Sequence, residues 1–211
     1  EKLIDDVIYL SGAKENSSVE IALIWSTSYS SNIISFANTI HTVDGGTHES
    51  GFKAALTSTI NDYGVRFKHL KDSDTKPSTV DICEGIIAVV SVKLVDAQFE
   101  SQTKAKLGNT DIGKLVRAIV KVKLGQYLEE NPSQAKIIME KSIASTNARE
   151  AAQKALAATR SKTSLGGRTR MPEKLTDCIS DDPSKTEIFI VEGDSAGGSA
   201  VEGRNSTYQA I

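Results

Sequence analysis

The stretch FIVEGDSAGGSA, residues 189–200, runs from an apolar strand into an acid and then into a turn built of Gly193, Asp194, Ser195, Ala196, Gly197 and Gly198. A strand handed directly to a glycine turn is how open α/β sheets present a side chain in the crevice at their carboxyl edge. Three chemistries fit the pattern. Gly193-Asp194-Ser195-Ala196-Gly197 spells the G-x-S-x-G elbow of a serine hydrolase. The glycines could instead cradle a phosphate at a helix N-terminus. Or Glu192, standing where the strand ends, could be the working group, with the loop merely making the turn.

The rest of the chain separates these. A serine nucleophile of the α/β-hydrolase order needs a histidine after it, and the three histidines, His41, His48 and His69, all precede it. Gly45-Gly46, the nearest approach to an oxyanion-loop pair, lies far upstream and leads into a helical pattern. The phosphate-loop spacing from Gly193 to Gly198 is right, but Ser199-Ala200 stand where a Lys-Ser/Thr pair must reach the phosphates and the magnesium. Glu192 remains. Hard divalent cations such as magnesium take oxygen ligands, usually one or two carboxylates. Asp194 could add a second oxygen, although it and Ser195 suit the capping of the helix that follows.

Hydrophobic residues make up 39% of the 211 and charged residues 25%, the balance of a soluble globular protein. With 25 Lys and Arg against 27 Asp and Glu, bulk charge points to no nucleic-acid partner, so any such role must come from local clusters. No apolar run approaches the roughly 20 residues a membrane helix needs. Cys83 and Cys178 are far apart in no metal-ligand spacing, which suits two reduced thiols in a cytoplasmic protein. Glu1 is no initiator and YQAI is no polar tail, so the sequence is expected to be a piece of a longer chain.

Along the chain, VEIALIW (19–25) alternates as a strand, and IISFANTI (33–40) follows a Ser-rich turn, which predicts an antiparallel hairpin. Behind Gly45-Gly46, Phe52, Ala55, Leu56, Thr59, Ile60 and Tyr63 recur at helical spacing, with Gly64 at the position of a C-cap glycine. GIIAVVSVKL (85–94) is a continuous apolar, β-branched run and predicts a central strand. A helix starts near Thr110 with Ile112, Leu115, Ile119 and Val122 on one face. Asn131-Pro132 supplies a cap and a first-turn proline for a second helix, running from Pro132 to about Arg160. Its stripe of Ala144, Ala148, Ala151, Ala155 and Ala158 is too thin to bury much, as in a strut or connector. Residues 161–174 are linker-like, and TEIFIV (186–191) opens a new strand. HTVDGGTHESG brings two histidines and two acids close together, but reads as a glycine turn into a helix rather than a metal site.

VEGDSAGGSA resembles the opening of the Toprim domain of type IIA DNA topoisomerases. Upstream, HTVDGGTHESGFKAAL, EGIIAVVSVKL, QTKAKLGN, AREAAQKA and KLTDC resemble, in the same order, stretches of the DNA gyrase B family. The resemblance spans nearly the whole chain and is weaker over the first eighteen residues. It implies an α/β fold: a transducer domain over 1–160, two-layered and ribosomal-protein-like with a left-handed βαβ crossover, then a linker over 161–185 and the start of a Toprim domain over 186–211. It implies that Glu192 is a catalytic acid and partial magnesium ligand, and that Gln102 and Lys104 contact ATP. Arg168, Arg170, Lys174 and Arg204 are candidate DNA contacts. Mg2+ and ATP are implied for the full-length protein, with none expected on this piece, which alone should be inactive. The implied partners are the gyrase A subunit, a second B subunit and double-stranded DNA.

Two relatives of the same resemblance compete. The topoisomerase IV B subunit shares the Gln-Thr-Lys loop and the Toprim opening. Mismatch-repair and chaperone-type ATPases share the transducer fold but carry no VEGDSAGGSA behind it. The chain departs from the family pattern at Val201 and Glu202, where a Lys and a Gln are usual, and at Glu173, where Gly is usual. Losing a cation and gaining acids there weakens the expectation of local DNA contacts.

Overall fold

A computed structural model of the chain describes residues 1–71, 74–166 and 175–211. They form two compact units, Glu1–Gln153 and Lys154–Ile211.

The first unit is built on a five-stranded mixed sheet in the order β1-β2-β5-β3-β4. Its strands are β1 (Ile8–Lys14), β2 (Ser17–Trp25), β3 (Asn32–Ala37), β4 (Ile40–His41) and β5 (Ile86–Lys93). The most apolar run is the central strand, as its composition requires. The hairpin expected between residues 19–25 and 33–40 does not form. β5 inserts between β2 and β3, antiparallel to one and parallel to the other, so that Val89 lies opposite Ala22 on one side and Ile34 on the other. The Ser-rich turn is tied to the start of β5 instead, with the amide and hydroxyl of Ser26 both donating to Gly85 O at 2.8 and 2.9 Å. β1 was not anticipated. It is an edge strand in register with β2, Leu10 opposite Ile21, and its Ser11 and Gly12 blunt the alternation that would have announced it.

One face of the sheet carries Ile8, Leu10, Ile21, Leu23, Trp25, Ile86, Val90 and Val92, all buried. It is covered by α1 (Thr47–Arg66) and α3 (Thr110–Glu130). The other face leaves Tyr9, Ile87 and Val89 exposed, so the apolar run of β5 has only one side in the core. On α1 the predicted stripe from Phe52 to Tyr63 is buried. Gly64 is not its C-cap: α1 continues to Arg66, and Lys68 takes the left-handed conformation (φ 60°). Gly64 is there for packing, because a Cβ on it would press into Met139 and Leu70. On α3 the buried stripe is Ile112, Val116, Val120, Leu124 and Leu128, a strict i,i+4 row, while the predicted Val122 is exposed. The first turns of the two helices touch backbone to backbone, since a Cβ on Gly51 would fall 2.6 Å from Gly113 O.

The long helix α4 (Pro132–Gly166) extends past residue 160. Asn131 bonds backwards, its Nδ2 donating to Tyr127 O of α3 at 2.9 Å. Within the first unit α4 buries Ala135, Ile138, Met139, Ser142, Ser145 and Thr146, and the alanine stripe lies exposed beside that face. Polar ties fasten it to the short helix α2 (Thr79–Cys83) and the start of β5. Ser145 Oγ donates to Glu84 at 2.7 Å. Arg149 donates Nε and Nη2 to the two carboxylate oxygens of Asp81, both at 2.9 Å. Asp81 also receives Ser78 in a capping box. Burial by itself would raise the Asp81 pKa, but the bonds from Arg149 and Ser78 together hold the carboxyl well below the usual carboxylate range.

The second unit contains β6 (Glu187–Ile188), α5 (Asp194–Gly203) and β7 (Gln209–Ala210). The strand expected over 186–191 is regular for two residues only, paired in parallel with β7. Thr176 and Ile211 exchange backbone hydrogen bonds at 2.8 and 3.0 Å. No residue of α5 is buried.

Asp81 is 1% exposed and the Arg149 side chain 33%, so Asp81→Asn leaves a partly exposed guanidinium facing a buried neutral amide. The loss falls short of that for a fully buried pair, because water still reaches Arg149. Urea unfolding of the variant should show a lowered midpoint near pH 7, and an unchanged midpoint would show that the pair does not anchor α4.

Candidate functional site

Gln102 and Lys104 stand on a finger that leaves β5 and returns to α3. The strand end is held first, by Asn38, whose side chain accepts from Leu94 N at 2.9 Å and donates to Leu94 O at 2.7 Å. The stem is a short antiparallel ladder. Gly108 N donates to Gln98 O at 2.8 Å, Phe99 bridges Leu107, and Glu100 N donates to Lys106 O at 3.0 Å. Lys106 and Glu100 pair their charges across it at 3.0 Å. At the tip, Lys104 takes a left-handed φ of 55° and its N–H closes the turn on Ser101 O at 3.0 Å. Both Gln102 and Lys104 are exposed. With Phe99, Glu100 and Ser101 they line an open hollow of about 380 Å³.

The finger is seated on the Gly45-Gly46 turn. Leu107 is fully buried; its N–H donates to Gly45 O at 3.1 Å and its carbonyl accepts from Thr47 N, the first residue of α1, at 3.0 Å. Asp44 N donates to Ala105 O at 2.9 Å. Gly46 has a φ of 143°, and a Cβ there would overlap the Leu107 backbone. Two requirements, positive φ and contact at the backbone, therefore demand glycine.

HTVDGGTHESG is thus the seat of the finger, and the polar side chains behind it form a buried network. Thr42 Oγ1 lies 2.9 Å from Ser35 O and 2.8 Å from Ser35 Oγ, and it is hydrogen-bonded to His48 Nε2 at 3.2 Å. Ser35 Oγ donates to Glu49 at 2.9 Å, and Glu49 pairs with Lys53 at 2.7 Å. Burial depresses the His48 pKa from 6.5 to about 4, with Glu49 opposing the shift. Among the described residues no group of three or more His, Cys, Asp or Glu is placed to hold a metal ion.

Glu192 is exposed in the turn between β6 and α5, followed by Gly193 at φ 81° and Asp194 as the first residue of α5. It offers one oxygen ligand. The described residues do not form a complete magnesium site around it. Arg204, the C-cap of α5, directs Nη1 at the carbonyls of Thr176, Asp177 and Gln209 at 3.3, 2.7 and 2.6 Å. Its guanidinium is occupied in holding the chain together. Arg168, Arg170 and Lys174 lie outside the described residues. Leu107 and Asn109, which build the stem, were missed as functional residues, although Leu-Gly-Asn directly follows the finger tip.

The DNA gyrase B family matches residues 1–158. The chain is 52% identical to the DNA gyrase B protein of Clostridium acetobutylicum, a match that covers 100% of this chain and 33% of that protein. It therefore spans about a third of the length of such curated relatives. Among solved structures, the 43K ATPase domain of Thermus thermophilus gyrase B in complex with an aminocoumarin superposes with a TM-score of 0.70 at 37% identity, over 75% of this chain and 42% of that one. The topoisomerase IV ATP-binding domain of Francisella tularensis in complex with a small-molecule inhibitor gives 0.63 at 28% identity, over 70% of this chain and 41% of that one. No described helix is long and apolar enough to cross a membrane.

Two outcomes follow from the seat. Gly46→Ala should cost on the order of 3 kcal/mol, from strained φ plus backbone overlap, and a variant as stable as the parent would contradict the contact. His48 contributes stability that is fully present above pH 6.5 and is lost as pH falls toward about 4, because the unfolded chain takes up the proton first. The loss is on the order of 3 kcal/mol. Asp81 does not interfere in that window, since its contribution persists down to its unfolded pKa of 3.8. Urea melts from pH 7 to 4.5 should slope for the parent and flatten for His48→Gln; equal slopes would exclude His48 as the source.

Proposed function

The chain belongs to the DNA gyrase B family, and from that premise we propose that it is the coupling segment of an ATP-dependent type IIA DNA topoisomerase subunit. In this reading residues 1–160 are a transducer domain with a left-handed βαβ crossover, 161–185 a linker, and 186–211 the opening of a Toprim domain. The first boundary is supported by the family match ending at residue 158 and by the first compact unit ending at Gln153. The full-length protein would use ATP and Mg2+ in the cytoplasm. It would pair with a second copy and with the gyrase A subunit, and pass one DNA duplex through another. A gyrase assignment is favoured over topoisomerase IV by the 52% identity and the family match.

The observation that carries the reading is the finger: two exposed polar side chains, Gln102 and Lys104, on a stem welded to the root of α1. A lysine is a compact point charge on a flexible stem. Held at the tip of a fixed finger, Lys104 can meet a terminal phosphate and compensate the negative charge that builds on it during transfer. Gln102 beside it can donate a neutral hydrogen bond that helps orient the same group. When the phosphate leaves, Lys104 loses its partner, and the stem passes that change to α1 through Leu107 and Thr47.

Glu192 serves a different reaction in this reading. At the mouth of a glycine turn its carboxylate would supply an oxygen to a magnesium ion that activates or stabilises oxygens at the DNA phosphate. Arg168, Arg170 and Lys174 remain candidates for neutralising DNA phosphates. Arg204 is a weaker one, being engaged with three carbonyls.

In the full-length protein Lys104→Ala should lower kcat for ATP hydrolysis by roughly 10²–10³, as for loss of one strong electrostatic donor, with nucleotide affinity changing less. An unchanged kcat would sink the assignment. In the assembled enzyme, magnesium-dependent cleavage of supercoiled plasmid should collapse for Glu192→Gln while ATP hydrolysis continues. Ser195 lies inside the first turn of α5, which has no side-chain cap, so Ser195→Ala should retain cleavage; loss of cleavage by a well-folded Ser195→Ala would restore the nucleophile-elbow reading.

A further inference from the structure

Asn109 occupies the N-cap position of α3, where an asparagine side chain ordinarily accepts a hydrogen bond from the first turn of the helix. It makes no such bond. Its carboxamide points back into the finger instead. Oδ1 accepts from Gln98 N at 2.7 Å and Nδ2 donates to Asp96 O at 2.8 Å, so one side chain grips the outgoing strand of the stem by both a donor and an acceptor. The Asn109 carbonyl accepts from Thr47 Oγ1 at 2.6 Å, which ties the same residue to the first turn of α1. Two residues earlier, Leu107 is bonded to Gly45 and Thr47. The cap that would have steadied α3 is given up, and every hydrogen-bonding group of this side chain that is engaged serves the stem.

We propose that Asn109 is the positioning residue of the finger: its carboxamide closes the stem at Asp96 and Gln98 and so sets where Gln102 and Lys104 stand relative to α1. The inference rests on the reading of Gln102 and Lys104 as phosphate contacts, which it deepens by naming what holds them in register. The physical need is plain. Lys104 is exposed and long, and the turn that carries it is shaped by the Ser101–Lys104 bond, the Ser101–Thr103 hydroxyl contact, the Glu100–Lys106 pairs and the Asp44 N–Ala105 O bond, none of which fixes the outgoing strand at Asp96 and Gln98. Without closure at the base, the ends of the stem could slide or splay, and the ammonium would sample a wide volume. Misplacement of a reacting group by about 1 Å costs up to roughly a hundredfold in rate.

The chemistry of the side chain supplies a discriminating variant. Serine is as good an N-cap as asparagine but cannot span from Asp96 O to Gln98 N, so Asn109→Ser keeps or improves the capping of α3 while opening the stem. Asn109→Asp keeps the acceptor for Gln98 N and places a second acceptor against Asp96 O.

Two measurements test the proposal. Hydrogen exchange on the 211-residue chain should show protection of the Gln98, Glu100 and Gly108 amides reduced by about tenfold or more in Asn109→Ser, since each depends on the closed stem, with no fall in Tm. In the full-length protein the same variant should lower kcat for ATP by about tenfold to a hundredfold with KM nearly unchanged, and Asn109→Asp should fall between it and the parent. Combined with Lys104→Ala, Asn109→Ser should add no further loss, because one acts through the other. Undiminished protection in Asn109→Ser, an unchanged kcat, or fully multiplicative losses in the double variant would overturn the proposal. Should Lys104→Ala itself leave hydrolysis untouched, the phosphate-contact reading falls, and the exchange measurement alone decides for or against Asn109.

Discussion

The finger that carries Gln102 and Lys104 is seated on the first unit by the contact of Leu107 with Gly46. It is a contact of backbone on backbone, with the carbonyl and amide of Leu107 bonded to Thr47 N and Gly45 O, and no side chain fits between the two segments. A contact of that kind has little freedom to adjust, because neither partner has a rotamer to change. The end of β4, the start of α1 and the returning strand of the finger are joined there. The crossing of α1 over α3 at Gly51 and Gly113 continues the same close approach one turn further on. The first unit is therefore stiff where the finger begins, and the exposure of Gln102 and Lys104 is confined to the tip.

Around this seat the protein places polar groups where apolar ones would suffice for stability. Ser35, Thr42, His48, Glu49 and Lys53 form a chain of partners behind the turn, with His48 held neutral by burial. Asp81 and Arg149 do the same for α4. Burying such groups is costly unless each finds its partner, and here every one but His48 Nδ1 has one; bonded networks of this sort fix one geometry against near alternatives. In a module read as relaying the state of a phosphate to distant elements, one fixed geometry at the root is what allows a small displacement at the tip to be passed on rather than absorbed. The second unit is organised differently. Its helix α5 buries nothing, and the backbone around it is gathered by Arg204 and by pairing of Thr176 with Ile211.

The amino-acid sequence by itself determined the local events. The glycine turn ahead of α5, the helix behind Gly45-Gly46 with its stripe from Phe52 to Tyr63, the centrality of β5 and the start of α4 at Pro132 all follow from periodicity, β-branching and the special backbone needs of glycine and proline, which act over a few residues. Five ordered blocks of resemblance carried the family. What the tertiary structure alone decided are the choices of neighbour. β5 comes between β2 and β3 because a strand's partners are selected by which pairing buries the most apolar surface across the whole sheet, a comparison no local window contains. The same holds for the covered side of β5, the i,i+4 row on α3 that faces the core, and Gly64, whose hydrogen in place of a side chain is explained by Met139 seventy-five residues away. Asn109 is the sharpest case: its position before a helix says cap, and only the folded chain, which brings Asp96 and Gln98 within reach of both ends of its amide, assigns it to the finger.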